Sequence, residues 1–309
     1  MSETSDAKLA VDIVAGMRAV FGKHRARAVH AKGIVVQGLF VPTDEACALS
    51  EAAVFNGQSL PITVRFSDST GLPDIPDAAD GADPRGMAVR FHGGPHHAIG
   101  GRDLDIVTHS FNGFPVATAQ EFLELFRALV ASGPDAAKPT ALDKFLAAHP
   151  AAHAFFTTQK PLPASFATTA YFGVNAVTFN DGAGRRRHVR HRFVPQAGEH
   201  TLDTATRAAL GPNYLREEIV QRLARGPAAF DWRVQIAGPG DRLDDPSTPW
   251  PEIRALVTVG TLWIERAAAD QAVADRIMFG PAQLPPGIEV ADPMLRIRDI
   301  AYPMSAQNR

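Results

Sequence analysis

Two residues near the end of the chain, Arg298 and Tyr302, have the types and the spacing that iron chemistry needs. Residues four positions apart on a helix lie on the same face. A guanidinium held against a phenol oxygen favours the phenolate, because an adjacent cation stabilises the charged form. A phenolate is an anionic ligand for ferric iron, and tyrosine is one of the few side chains that hold haem iron. Taken alone, such a pair is more typical of an exposed helix surface, so the rest of the chain must decide.

The residues before this pair carry the signals of a turn and of a helix start. The Pro-Pro-Gly sequence at residues 285–287 predicts a turn. Asp292 followed by Pro293 predicts a helix that begins with a side-chain cap and a proline at its first position. We therefore predict a short helix that runs towards Tyr302 and packs against the structure formed by the upstream residues.

His30, Ser67 and Asn112 are candidates for the opposite face of a haem held in this way. Heterolytic cleavage of a peroxide needs a proton to move from one oxygen to the other, which a neutral imidazole can perform. His30 precedes the first predicted strand, and Ser67 ends the second, where its hydroxyl could orient the ring. Asn112 lies in the bend 109–115 and could donate a hydrogen bond to a bound oxygen.

Arginines near the first strands are candidates for binding the haem propionates, because a guanidinium can bind a carboxylate in a bidentate manner. These are Arg27, Arg65 and Arg85. Arg27 belongs to the basic segment 23–33, which by itself is typical of a solvated loop.

Composition limits the classes of protein that the chain can be. It has 309 residues, 45% of them apolar, with a net charge of -2, so nothing in its charge favours nucleic acid or an acidic membrane surface. The lone Cys47 excludes an internal disulfide and a cysteine-rich metal site. No apolar run reaches spanning length, and the N-terminus lacks a basic region followed by an apolar one. We predict a cytoplasmic protein without stable membrane association.

Hydrophobic periodicity predicts an α+β chain that forms one domain over residues 1–309. The predicted helices cover residues 10–21, a stretch from Thr118, 141–148, 151–158 and 214–225. The predicted strands cover residues 34–41, 62–67, 86–92, 104–108, 171–179, 188–194, 230–236 and 256–265. Eight mostly antiparallel strands around a helical insertion favour a closed barrel with flanking helices, and two packed sheets are the alternative.

Several separated segments resemble the monofunctional haem catalases, in the same order along the chain. They are residues 27–33 (Arg-Ala-Val-His-Ala-Lys-Gly), 64–67 (Val-Arg-Phe-Ser), 83–89 (Asp-Pro-Arg-Gly-Met-Ala-Val), Asn112 with 114–116, 279–281, 284–289 and Arg298 with Tyr302. The strand 171–179 matches more weakly. Ordered co-occurrence over almost the whole chain is far more specific than any single motif.

The resemblance implies an eight-stranded antiparallel barrel that binds haem b through Tyr302 as the proximal ligand of the iron, with Arg298 bonded to the phenolate. It further implies that His30 is the distal acid and base, that Asn112 polarises the peroxide, and that Ser67 supports His30. Arg27, Arg65 and Val29 would contact the haem. Arg192 stands near the place where large catalases often carry a histidine on the sixth strand, so hydrogen bonding on the proximal side is expected to differ.

Within this family the chain is similar to the small catalase-related peroxidases, because it ends seven residues after Tyr302 and has a short N-terminal arm. A haem without long arms should be open to larger molecules. We therefore predict a peroxidase that reduces hydrogen peroxide or organic hydroperoxides with a small organic electron donor and has weak or variable catalase activity. The oligomeric state stays open, with a homodimer as one alternative.

Two other functions remain as alternatives. An enzyme similar to allene oxide synthase would transform fatty-acid hydroperoxides, although that resemblance usually brings a threonine where this chain has Val29. A non-catalytic carrier of haem or of an apolar ligand would need no distal base. Two histidine pairs, His96 with His97 and His188 with His191, lack acidic or cysteine partners at ligand spacing, and we predict solvated surface histidines there rather than a metal site.

Overall fold

The computed structural model describes residues 3–93 and 103–307. The α-helices within them are α1 (Glu3–Phe21), α2 (Asp44–Cys47), α3 (Ala119–Val130), α4 (Ala141–Ala148), α5 (Pro150–Thr157), α6 (Tyr214–Leu223), α7 (Gln271–Ala274) and α8 (Met294–Ala306). The strands are β1 (Gly33–Pro42), β2 (Leu60–Ser67), β3 (Gly86–Phe91), β4 (Leu104–His109), β5 (Tyr171–Phe172), β6 (Val177–Asn180), β7 (Arg186–Pro195), β8 (Ala228–Ile236), β9 (Leu256–Ala267) and β10 (Ile288–Val290).

Eight of these strands close an antiparallel barrel. The order around the ring is β1, β2, β3, β4, β5, β7, β8 and β9, and β9 pairs with β1. The short strand β6 pairs with the same edge of β7 as β5 does, and β10 pairs with the other edge of β6. The closed ring confirms the predicted barrel over the alternative of two packed sheets.

The barrel interior is filled by apolar and aromatic side chains. Trp232 packs against Phe91 and Phe40, with ring centroids 4.9 Å and 5.3 Å away, and all three rings are fully buried. Offset and edge-to-face ring contacts add to the stability that comes from burying such large side chains. The barrel is therefore a packed core rather than a pore, and any ligand must bind beside it.

Three helices form a layer next to the barrel. An apolar cluster joins Leu9 and Ile13 of α1 to Leu123 of α3 and to Ile297 of α8. The start of α3 has a capping box, in which Thr118 Oγ1 accepts from the Glu121 amide and the Glu121 carboxylate accepts from the Thr118 amide. This cluster holds the terminal helix, which carries Arg298 and Tyr302, in a defined orientation.

Most predicted boundaries differ from the structure by one or two residues, and three differences bear on the site or on the helix layer. The predicted strand 171–179 is broken into β5 and β6, because residues 173–176 leave the ladder. Helix α8 begins one residue later than predicted, with Pro293 as the residue before it, although the Asp292 carboxylate accepts from the Met294 amide at 2.9 Å as a capping side chain does. Helix α1 begins seven residues earlier than predicted. Periodicity does not reveal this first part, because residues 3–8 are mostly polar and have no apolar period.

No helix in the described part of the chain is long and apolar enough to cross a membrane.

Candidate active site

A cavity of about 580 Å³ lies between one end of the barrel and the helix layer. Its walls are mostly apolar side chains of α1, α3 and α8, and its polar groups come from the ends of the first strands and from α8. A cavity of this size with few polar groups has the character of a cofactor or small-molecule site. Of the predicted site residues, those that line it are Arg27, Val29, His30, Arg65, Ser67, Arg298 and Tyr302.

His30 forms one polar wall of the cavity, just before β1. Its Nδ1 lies 3.0 Å from Ser67 Oγ, the last residue of β2, as the sequence predicted. The backbone of His30 has a φ of 55°, an uncommon value for a residue that is not glycine. Hydrogen bonds from the amides of His30 and Ala31 to the carbonyls of Ser69 and Thr70 hold this conformation. Backbone strain of this kind persists where the surroundings impose it, and it is often found at functional sites.

Burial keeps the His30 imidazole neutral. Loss of hydration lowers its pKa to about 3, and the positive charges of Arg65, Arg298 and Arg27 act in the same direction. A neutral imidazole has a lone pair that can accept a proton, so His30 can act as a base throughout the physiological pH range.

The wall of the same cavity also carries the phenol of Tyr302. Arg298 Nη2 donates to Tyr302 Oη at 2.7 Å, within α8, as the four-residue spacing predicted. The other guanidinium nitrogen, Nη1, donates to Asn175 Oδ1 at 2.6 Å. The contact places a positive charge beside the phenol oxygen, and a tyrosine oxygen is one of the few side-chain ligands of haem iron.

Asn175 is a residue of this site that the sequence analysis missed. It lies in the interruption between β5 and β6, is buried, and donates through Nδ2 to the buried Asp292 Oδ2 at 2.7 Å. Burial raises the pKa of Asp292, and the hydrogen bond from Asn175 opposes that rise. Asp292, Asn175, Arg298 and Tyr302 thus form a continuous hydrogen-bonded chain. The sequence signal for it is the weakly matching segment 171–179, for which periodicity predicts one uninterrupted strand.

Two of the predicted arginines share an acidic partner at the edge of the cavity. Arg27 Nη1 and Arg65 Nε donate to the same oxygen of Asp275, at 2.6 Å and 2.7 Å. Burial acts to raise the pKa of Asp275, but Arg65 and Arg27 outweigh it and hold the pKa below its usual value. Two guanidiniums with one carboxylate leave net positive charge at this edge, which suits the binding of a further carboxylate.

The structure corrects two placements. Asn112 does not line the cavity, because its amide donates to Glu252 at 3.2 Å. Arg85 is fully buried in an ion pair with Asp68 and has no contact with the cavity. Arg192, near which a difference in proximal hydrogen bonding was expected, forms an ion pair with Glu252, and the second hydrogen bond of Arg298 goes to Asn175.

The histidine pairs also differ from expectation. His191 is not on the surface, because it points into the barrel, where Trp232 Nε1 donates to its Nδ1 at 3.2 Å. His188 is half-buried with its Nδ1 3.0 Å from Thr178 Oγ1. His96 and His97 lie outside the described residues. Residues 3–93 and 103–307 contain no group of three or more His, Cys, Asp or Glu side chains arranged to hold a metal ion.

Comparison with known proteins gives a consistent result. The family model described as catalase matches residues 18–309. The chain is 35% identical over 288 residues to the catalase-related peroxidase of Mycolicibacterium paratuberculosis, covering 92% of this chain and 88% of that protein. It is 34% identical to the catalase-related peroxidase of Synechococcus elongatus, covering 91% and 82%.

Solved structures show the same fold. A fungal catalase superimposes with a TM-score of 0.80 at 21% identity, over 92% of this chain and 59% of that one. A bacterial catalase superimposes with a TM-score of 0.79 at 22% identity, over 92% and 57%. The chain thus spans somewhat more than half the length of these structures.

Proposed function

Since the chain belongs to the catalase family and is an oxidoreductase that acts on peroxide, we propose that it is a haem-dependent peroxidase. Its substrates would be hydrogen peroxide or organic hydroperoxides, its reductant a small organic electron donor, and its catalase activity weak or variable. The observation that carries this proposal is that a neutral imidazole and a phenol bonded to a guanidinium line the same cavity.

The residues of the cavity fit a haem b group. Tyr302 Oη, with Arg298 as donor, would bind the iron, and Arg27 and Arg65 would bind the propionates. Val29 lies in the cavity wall beside His30 and would pack against the porphyrin. Bound haem supplies the redox chemistry that cleaves the O–O bond, and the protein supplies orientation and electrostatics.

The protein's own contribution on the distal side is proton transfer. His30, oriented by Ser67, would take the proton from the near oxygen of the peroxide and return it to the leaving oxygen, which departs as water or an alcohol. The apolar walls exclude water around these groups and so strengthen each hydrogen bond that the peroxide receives.

The preference for peroxidase over catalase turnover is supported by the two relatives named catalase-related peroxidase, over 80% of whose length this chain covers. The test is steady-state consumption of hydrogen peroxide with and without an aromatic electron donor, with oxygen release recorded in parallel. We expect consumption that depends on the donor and little oxygen. Fast oxygen release without donor would contradict the preference.

The assignment of Tyr302 is tested by the substitution Tyr302→Phe. We expect the purified variant to lose haem or to bind it with a changed absorption spectrum, because the phenylalanine ring offers no oxygen to the iron. Tyr214→Phe is the matched control, since the Tyr214 hydroxyl donates to the Pro163 carbonyl away from the cavity. Equal haem content and equal spectra in both variants would refute the assignment.

The assignment of His30 is tested by His30→Ala, which should retain haem and lose peroxide cleavage by about 100-fold or more, the usual contribution of a positioned acid or base. His153→Ala on the exposed face of α5 is the control. If His30→Ala cleaves peroxide at the wild-type rate, His30 is not the distal acid and base, and a non-catalytic carrier of haem becomes the better explanation.

Transformation of fatty-acid hydroperoxides is the second candidate, supported by the apolar side chains of α1 and α3 in the cavity wall. Product analysis with a lipid hydroperoxide distinguishes the two functions, because a peroxidase yields the hydroxy acid only when a donor is present. A cytoplasmic location and a homodimer stay predictions from the sequence.

A further inference from the structure

A second imidazole, that of His109, lines the same cavity and has no assigned role. It is the last residue of β4. Both of its ring nitrogens are shielded from solvent, and neither has a hydrogen-bond partner among the described residues. A neutral imidazole carries one donor and one acceptor, and leaving both unpaired away from water costs free energy. Both ring nitrogens are therefore available to a polar ligand that binds in the cavity.

Strand pairing places this ring beside His30. Ser67 pairs with Gly86, and Gly86 pairs with His109, so the three residues form one row across β2, β3 and β4. The His30 imidazole lies over the middle of that row, because a Cβ on Gly86 would come within 2.6 Å of its Nδ1. With neighbouring strands roughly 4.8 Å apart, Ser67 and His109 flank the His30 ring on its two sides.

The environment of His109 fixes both its position and its charge. Its ring centroid lies 6.4 Å from that of Phe114 and 6.3 Å from that of Phe155, the latter edge-to-face. Burial lowers the pKa of His109 to about 3, with His30 as the next largest contribution. The ring is therefore neutral at physiological pH and keeps one N–H donor and one lone pair.

We propose that His109 is a second distal ligand-binding residue, which donates a hydrogen bond to the oxygen of a peroxide held between it and His30. It would provide the polar contact that the sequence analysis assigned to Asn112. The ligand class is a small hydroperoxide, whose oxygens accept one hydrogen bond while its proton goes to the neighbouring base. This inference rests on the proposed function of the same site.

Fluoride binding to the purified haem protein tests the proposal without relying on turnover. Fluoride is a small anion that would bind the iron on the distal side, and its affinity should depend on hydrogen-bond donors there. We expect His109→Phe to raise the fluoride Kd about 10- to 100-fold, the range for one lost hydrogen bond to a charged group. His109→Asn should stay within about threefold of wild type, because an amide also donates.

Controls separate a binding role from a structural one. His153→Phe makes the same change on an exposed helix face and should leave the fluoride Kd unchanged. Urea unfolding of each variant shows whether the fold is kept, and His109→Leu, which also offers no donor, takes the place of His109→Phe if that variant does not fold. An unchanged Kd in folded His109→Phe, or a Kd equally raised in His109→Asn and His109→Phe, would overturn the proposal.

Failure of this inference is distinguishable from failure of the proposed function. If the wild-type protein binds haem and consumes peroxide, but the fluoride Kd does not change when His109 is replaced, only the role of His109 is wrong. If the wild-type protein binds no haem, the proposed function itself fails.

Discussion

At the scale of single residues, the site depends on what surrounds each reactive group. The phenol of Tyr302 has the Arg298 guanidinium beside it, and Asn175 holds that guanidinium in place from the opposite side. Asn175 is uncharged, so it orients Arg298 without neutralising the positive charge beside the Tyr302 oxygen. Its second hydrogen bond, to buried Asp292, ties the same side chain to the start of α8.

Replacing Asn175 by alanine should therefore affect both stability and the proximal side of the cavity. The buried Asp292 carboxylate loses a donor, which should lower the free energy of unfolding by about 1–3 kcal/mol. The freed Arg298 should also change the absorption spectrum of the bound haem. Urea unfolding and absorption spectra check both effects. Asn213→Ala is the control, because the Asn213 side chain makes no capping hydrogen bond at α6. A spectrum identical to wild type would argue against a proximal role for Asn175.

At the scale of elements, the two faces of the cavity come from different parts of the fold. The ends of β2, β3 and β4 present Ser67, Gly86 and His109 in one row, whereas α8 presents Arg298 and Tyr302. Strand register fixes the first set by backbone hydrogen bonds. The second set depends on how α8 packs, which is decided by the apolar cluster that it shares with α1 and α3.

Ile297→Ala tests this dependence. Ile297 is only 5% exposed within that cluster, so truncation should cost about 2–5 kcal/mol of unfolding free energy. Because Ile297 is adjacent to Arg298, we also expect weaker retention of haem. Ile253→Ala removes the same atoms from a side chain that is 89% exposed and should cost less than about 0.5 kcal/mol. Equal losses in thermal or urea unfolding would show that α8 is not held by this cluster.

At the scale of the whole molecule, burial of histidines couples folding to pH. His30, His109 and His191 each have a pKa lowered to about 3, with burial as the largest cause. An unfolded chain binds a proton at each of these residues once the pH falls below about 6.5, whereas the folded chain does not. Stability contributed by these neutral rings is therefore complete above pH 6.5 and is lost as the pH falls from 6.5 towards 3.

His191 offers the cleanest measurement, because it lies inside the barrel away from the cavity and only burial shifts its pKa. Between pH 6 and pH 4, the wild type should lose about 1.4 kcal/mol per pH unit more than the variant His191→Gln. The glutamine oxygen can still accept from Trp232. Urea unfolding of both proteins across this range measures the difference. Parallel pH profiles would mean that His191 titrates normally in the folded protein.

The sequence by itself determined the features that depend on local spacing or on strand periodicity. The contact between Arg298 and Tyr302 follows from the geometry of one helix, and the eight strands follow from alternating apolar residues. The contact between His30 and Ser67 was also predictable, because each residue stands at the end of a recognisable strand.

Only the tertiary structure decided which polar group of the bend 109–115 faces the cavity and which residue holds Arg298. His109 and Asn112 are three positions apart, and the pairing register of β4 with β3 places the first inside while a contact with Glu252 keeps the second outside. Asn175 lies 123 residues before Arg298, and it reaches Arg298 only because the strand breaks between β5 and β6. Register and strand interruptions arise from hydrogen bonds between distant segments, so they cannot be predicted from the periodicity within one segment.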